Sequence, residues 1–138
     1  MKWPLVFKLS LFGLAMGLLT VFVIPSNAEP FFWLAIFVLC AYIIARRCSS
    51  RHFIHGLSVS LLNSVWITAA HVIFFAPYMS SHAKEAAMLA SMPLPDSPRL
   101  MMVMMGPLIG LASGIVLGLF ALIASKFVKP GAAAPGKP

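Results

Sequence analysis

The chain has 138 residues, of which 61% are hydrophobic and only 9% are charged, and its mean hydropathy is +0.97. A soluble domain is about 45–50% apolar and about 25% charged, so this composition excludes a soluble globule. Ten Lys and Arg stand against three Asp and Glu, and the resulting net charge of +7 needs an explanation of its own.

Four apolar segments approach or reach the roughly 20 residues that a helix needs to cross a bilayer. They occupy residues 5–24, 31–45, 53–78 and 100–128. The second segment is short, because fifteen residues rise only about 22 Å against a hydrocarbon core of about 30 Å. It can still span if Arg46 and Arg47 reach the headgroups with their long side chains. The sequence predicts an all-α, four-helix membrane bundle that forms one domain over residues 1–129.

The connection between the third and fourth spans, residues 79–99, is predicted to be an outer loop that contains a short helix. Its first half is rich in alanine, and Ser80 or Ser81 is the expected N-cap. Three prolines between residues 93 and 98 end that helix. The tail, residues 130–138, has low complexity and is predicted to be disordered.

The basic residues indicate the orientation of the bundle. Eight of the ten fall on one side of a four-span arrangement: Lys2, Lys8, Arg46, Arg47, Arg51, Lys126, Lys129 and Lys137. Lys84 and Arg99 fall on the other side, together with the three acidic residues. The positive-inside rule therefore predicts that both termini are cytoplasmic (N-in/C-in) in a multi-pass protein of a bacterial inner membrane. The charge marks orientation, so no nucleic-acid partner is expected.

The bilayer itself is the first expected partner. Arg46, Arg47 and Arg51 form a short basic loop on the cytoplasmic side, where anionic lipid headgroups attract Lys and Arg by about 1 kcal/mol each. We expect this loop to anchor in the headgroup layer.

The N-terminus permits a second interpretation, because it resembles a secretory signal. A Lys precedes an apolar stretch over residues 9–24, and small residues at 26–28 precede Glu29. That stretch is longer than the usual signal core of about 7–15 residues, so we expect the uncleaved chain. Cleavage near residue 28 would leave three spans that run in the same directions.

Glycines at a spacing of four form a groove along the fourth span. They are Gly106, Gly110, Gly114 and Gly118, and the first span carries a matching pair, Gly13 and Gly17. Small residues at this spacing let helix backbones approach closely in lipid. We expect the first span to pack against the fourth within one chain; the alternative is a homo-oligomer, or a larger membrane complex, sealed by the same groove.

The third span carries most of the polar residues predicted to lie within the membrane. Ser60, Asn63, Ser64, Thr68 and His71 fall within an arc of roughly 140° when placed at 100° per residue. Polar groups in a bilayer turn toward partners or water. This face predicts interhelical hydrogen bonds or a narrow polar cavity in which His71 exchanges a proton or binds a ligand.

Methionines are concentrated near the outer side. Seven of the nine lie between residues 79 and 105, and Met101 and Met105 share a helix face. Thioethers suit Cu(I), which makes Met101, Met105 and His82 candidate metal ligands; adaptable apolar packing is the alternative. The four-residue Met step and the glycine-lined helix resemble those of copper-uptake trimers, which have three spans.

Several function classes are excluded by what the sequence lacks. No Asp or Glu lies within a predicted span, which argues against a carboxylate-driven proton antiporter. No nucleophile elbow, phosphate loop or paired carboxylates occur, so neither an enzyme nor a cofactor is expected. The sequence predicts a small accessory or structural membrane protein that packs with itself or a larger complex. The alternative is a small transporter or channel for a metal ion or solute that uses the polar face of the third span.

Overall fold

The computed structural model describes residues 1–131, and these residues form helices without any strand. The helices are α1 (Trp3–Phe22), α2 (Glu29–Arg47), α3 (His52–Ile73), α4 (Phe75–Ser81), α5 (Ala83–Ala90) and α6 (Pro98–Phe127). Within the described residues, α1, α2, α3 and α6 are long and apolar enough to cross a membrane. The predicted all-α, multi-pass class is confirmed. The tail predicted to be disordered lies outside the described residues beyond position 131.

Proline marks the start of three of the spanning helices. Pro4, Pro30 and Pro98 each stand in the first turn of α1, α2 or α6. This position suits proline, because the first N–H groups of a helix have no partner within the helix.

With its 19 residues, α2 rises about 28 Å and approaches the full thickness of the hydrocarbon core.

The third span is shorter than the sequence predicts. α3 ends at Ile73, Phe74 leaves helical geometry with φ −98° and ψ 43°, and a new helix, α4, begins at Phe75. Pro77 explains the break, because a continuous helix would place its ring against the Ile73 carbonyl and would lack the N–H that bonds to it.

The expected serine cap is also wrong: Ser81 lies in the last turn of α4, and His82 precedes α5.

α3 lies at the centre of the bundle, between α1 on one side and α6 on the other, while α2 packs mainly against α6. The glycine faces therefore have a different partner from the one expected. A Cβ atom at Gly13 would lie 2.6 Å from the Cα of Asn63, and one at Gly17 would lie 3.1 Å from the Cβ of Ala70. Both contacts are with α3 and not with α6.

The glycine groove of α6 also faces α3 of the same chain. Its glycines contact Thr68, Ser64, Leu57 and Phe53, while Gly56 of α3 meets the backbone at Gly118. The expectation that α1 packs against α6 is thus wrong. The physical reason is that α3 carries small and short polar side chains, which fit against glycine on both sides.

The two ends of the bundle are packed differently. At the end that carries the N-terminus and the α2–α3 turn, here called the basic end, α1, α2, α3 and α6 share one apolar core. It contains Val6, Leu9, Cys40, Ala41, Ile44, Cys48, Val59, Leu117 and Ala121. At the opposite end, the loop end, α4 and α5 cover the bundle.

A hydrogen-bonded turn closes the basic end. Arg51 has φ 57°, in the left-handed region that costs an L residue about 1–2 kcal/mol. Its carbonyl accepts hydrogen bonds from the His55 backbone N–H at 3.0 Å and from His55 Nδ1 at 2.8 Å. His55 Nε2 accepts from the Lys2 backbone N–H at 3.0 Å. The starts of α1 and α3 are therefore tied together.

Close backbone approach predicts that Gly56→Ala destabilises the bundle more than Gly114→Ala. A Cβ at Gly56 would lie 2.8 Å from the backbone of Gly118, which cannot move alone. A Cβ at Gly114 would lie 2.8 Å from Leu57 Cδ1, the end of a flexible side chain. We expect a loss of about 1–3 kcal/mol for Gly56→Ala, measured by unfolding in detergent micelles. Equal losses for the two variants would contradict the packing of α3 against α6.

Candidate functional site

A cavity of about 530 Å³ opens at the loop end, between α2, α3 and α6 and beneath α4 and α5. It exists because α2 packs mainly on α6 and meets α3 closely only near the basic end. Exposed Met88 and Ile109 stand among its lining residues, so the cavity is open at its margins. The apolar core at the basic end lies beyond its floor.

The floor of the cavity is formed by the polar face of α3. All five predicted residues, Ser60, Asn63, Ser64, Thr68 and His71, line the same cavity. The structure thus brings all five residues together on the floor of the cavity. This floor is held in place because α3 packs between the glycine face of α1 and the glycine face of α6.

Asn63 is the most unusual residue of the floor. It is only 2% exposed, and neither its amide oxygen nor its amide nitrogen has a hydrogen-bond partner among the described residues. A buried polar group without a partner costs about 1–3 kcal/mol. Its amide oxygen lies on the α1 side of α3, since a Cβ atom at Gly13 would be 2.7 Å from it, and no residue of α1 lines the cavity.

The hydroxyl groups near Asn63 are already partnered. Ser60 Oγ lies 2.8 Å from Ser113 Oγ, which links α3 to α6, and Ser64 Oγ donates to the Leu61 carbonyl at 2.8 Å. These bonds satisfy the serines within the bundle. Among the polar residues of the floor, Asn63 therefore has the largest unmet hydrogen-bonding capacity.

A stack of three aromatic rings closes one side of the loop end. Tyr78 lies between His71, at 3.9 Å between ring centres, and His82, at 4.4 Å. The His71 and Tyr78 planes are 16° apart, and the Tyr78 and His82 planes are 26° apart. The stack joins the end of α3 to α4 and to the start of α5, so it fixes the cover of the cavity.

The hydrogen bonds assign the protons of both histidines in their neutral forms. The Thr20 hydroxyl donates to the Met16 carbonyl at 2.8 Å, so it accepts from His71 Nε2–H at 2.9 Å. His82 Nδ1–H donates to the Tyr78 carbonyl at 3.1 Å, which leaves Nε2 as a buried acceptor without a partner. Each imidazole thus has one nitrogen fixed by the fold.

Two carboxylates stand among the residues at the mouth of the cavity. Glu29 Oε1 accepts a hydrogen bond from Trp33 Nε1 at 3.1 Å, and Glu85 Oε2 accepts one from Ser26 Oγ at 2.9 Å. Both glutamates line the cavity, and within residues 1–131 no Lys or Arg does so. The sequence predicts that both acids lie on the outer side of the membrane but does not place them at a site. Their convergence depends on how α5 folds over α2.

One of the three candidate metal ligands lines the cavity. Met105 lines the cavity, whereas Met101 and His82 are not among its lining residues. Five methionines share the cavity wall: Met79, Met88, Met92, Met102 and Met105. In the described part of the chain, no group of three or more His, Cys, Asp or Glu is arranged to hold a metal ion.

Fold and site together define an all-helical membrane bundle with a cavity at one end. Compared with known protein families, with curated proteins and with solved structures, the chain shows no match. What the cavity does must therefore be argued from its own residues.

The surroundings of Tyr78 predict that its phenol loses its proton only at unusually high pH. Burial raises the pKa of Tyr78 well above its ordinary value, and the nearby charges of Glu29 and Glu85 raise it further. In Tyr42→Phe, Tyr78 is the only tyrosine, and phenolate absorbance should appear only well above about pH 10 while the bundle is folded.

The sign of the stability effect follows from that shift. Above about pH 10 the unfolded chain releases a proton that folded Tyr78 retains, so stability contributed by this group falls as pH rises. Tyr78→Phe should therefore lose less stability between neutral and strongly alkaline pH than the unaltered chain. Ionisation of Tyr78 near pH 10 in the folded protein would contradict the described burial.

Proposed function

We propose that the protein binds a small amphipathic molecule in the cavity at the loop end and performs no catalysis. The observation that carries this proposal is a cavity of about 530 Å³ whose lining combines methionine and aromatic side chains with two carboxylates, Glu29 and Glu85. Ligand pockets typically measure about 300–1,000 Å³ and combine apolar walls with a few polar groups. The methionine and aromatic walls meet that description.

The packed core at the basic end favours binding over open conduction. Val6, Ile44, Val59 and Leu117 come from four different helices and are each 0% exposed. A continuous pore would have to separate them. Transport of a solute, the alternative function expected from the sequence, therefore requires a second conformation in which α2 moves relative to α6.

The accessory or structural role expected from the sequence stays a prediction. The glycine faces of α1 and α6 are covered by α3, so a homo-oligomer or a larger complex would use other surfaces. The exposed apolar face of α2, with Phe31 at 74% and Leu34 at 55%, is available to lipid or to such a partner.

A cavity-filling substitution tests ligand binding. Met105→Trp places a larger side chain in the wall, whereas Met104→Trp adds the same ring at a position that is 55% exposed and outside the lining. The probe is N-(3,3-dimethylbutyl)dansylamide, titrated in lipid nanodiscs by direct dansyl excitation, with protein-free discs subtracted. We expect Met105→Trp to weaken binding by about tenfold or more, a difference of about 1.4 kcal/mol, and Met104→Trp to leave it unchanged. Equal binding by the two variants would overturn the proposal.

We also propose that the basic end faces the cytoplasm of a bacterial cell, which places the cavity at the outer side of the inner membrane. The support is the eight-to-two distribution of Lys and Arg. Arg46, Arg47 and Arg51 are exposed at the basic end, where they would meet anionic headgroups.

Labelling of one introduced cysteine at a time tests the orientation. Ser50 and Ser91 are exposed at opposite ends, while the native Cys40 and Cys48 are buried thiols. Burial also raises the pKa of Cys48, which lowers its reactivity. A membrane-impermeant maleimide should label Ser91→Cys in intact cells and Ser50→Cys only after the membrane is opened. The reverse pattern would show that the cavity faces the cytoplasm.

A further inference from the structure

The charges lining the cavity are of one sign. Glu29 and Glu85 are partly buried at its mouth, and their hydrogen-bond donors, Trp33 and Ser26, are neutral. The basic residues of the loop end, Lys84 and Arg99, do not line the cavity. The Arg99 guanidinium instead lies 5.1 Å from the centre of the Phe75 ring. The mouth therefore presents two carboxylates that lack a basic partner in the cavity.

The wall below the carboxylates is apolar and adaptable. Five methionines line it, together with Trp33 and Phe37 from α2. Thioether side chains adjust to ligands of different shapes. The indole of Trp33 is held beside Glu29 by their hydrogen bond, and an aromatic face attracts an organic cation by about 0.5–2 kcal/mol.

The amide of Asn63 lies out of reach of a ligand in the cavity. Asn63 lies ten residues before the end of α3, which places it about 15 Å along the helix from the loop end. Its side chain is buried, and its amide oxygen faces Gly13 of α1, a helix that does not line the cavity. The cavity is therefore anionic where Glu29 and Glu85 line it and apolar along most of its remaining wall.

We infer that the ligand is an amphipathic organic cation: an amine or quaternary ammonium group sits at Glu29 and Glu85, and its apolar body lies along the methionines. This inference rests on the proposed binding function and names its ligand class. An anionic amphiphile would be repelled by both carboxylates. A metal ion is not favoured, because the hard carboxylates and soft thioethers do not favour the same metal.

A matched pair of probes tests the charge. Dansylamidoethyl-trimethylammonium carries a quaternary nitrogen, and N-(3,3-dimethylbutyl)dansylamide has carbon in its place with nearly the same shape. In nanodiscs of uncharged lipid, the cationic probe should bind about tenfold more tightly than its neutral isostere, the ratio that corresponds to about 1.4 kcal/mol.

Three substitutions test which carboxylates are responsible. Glu29→Gln and Glu85→Gln keep an oxygen that accepts from Trp33 or Ser26, so the local hydrogen bonds survive without the charge. Each should weaken binding of the cationic probe about threefold and leave binding of the neutral probe unchanged. The two together should abolish the roughly tenfold preference. Asp96→Asn is the matched control, because Asp96 is an acid of the loop end that does not line the cavity.

The outcomes separate this inference from the binding function. Equal affinities of the two probes in the unaltered chain, or equal effects of Asp96→Asn and Glu85→Gln, would overturn the cation assignment while ligand binding stands. If Met105→Trp leaves the binding of both probes unchanged, the binding function itself fails. If the unaltered chain prefers the cationic probe and the two glutamine substitutions remove that preference, the inference is supported.

Discussion

The close approach of α3 to two other backbones is the constraint on which the rest of the structure depends. Gly13 and Gly17 of α1 admit it on one side, and the glycine groove of α6 admits it on the other. In lipid there is little hydrophobic drive to bring helices together, so contact area and short polar side chains decide which surfaces pack. α3 supplies both, which makes it the central helix.

This placement has a consequence for α2. Because α1 and α6 already cover α3, α2 packs mainly on α6 and joins the others only through the core at the basic end. Toward the loop end, Trp33 and Phe37 of α2 line a space between the helices, and that space is the cavity. The same packing that buries Asn63 thus leaves room for a ligand above it. The His71–Tyr78–His82 stack holds the cover formed by α4 and α5.

Much of the fold and part of the site could be predicted from the sequence. Apolar length predicts the spans, and helical periodicity alone places Ser60, Asn63, Ser64, Thr68 and His71 on one face, because both are properties of a single segment. The partner of each glycine face could not be predicted in this way, since α1, α3 and α6 all carry small residues. The carboxylates at the mouth were missed for a related reason: Glu29 and Glu85 lie far apart in the chain and line one cavity only after α5 folds back.

The sequence by itself determined that this chain belongs in a membrane as a helical bundle and which face of α3 is polar. It also predicts which end faces the cytoplasm. These properties follow from composition and from periods within single helices. The tertiary structure decided that α3 is central, that α3 stops at Ile73, and that a cavity joins Asn63 to two carboxylates. Those features depend on which backbones approach each other, and several surfaces of similar composition compete for that contact.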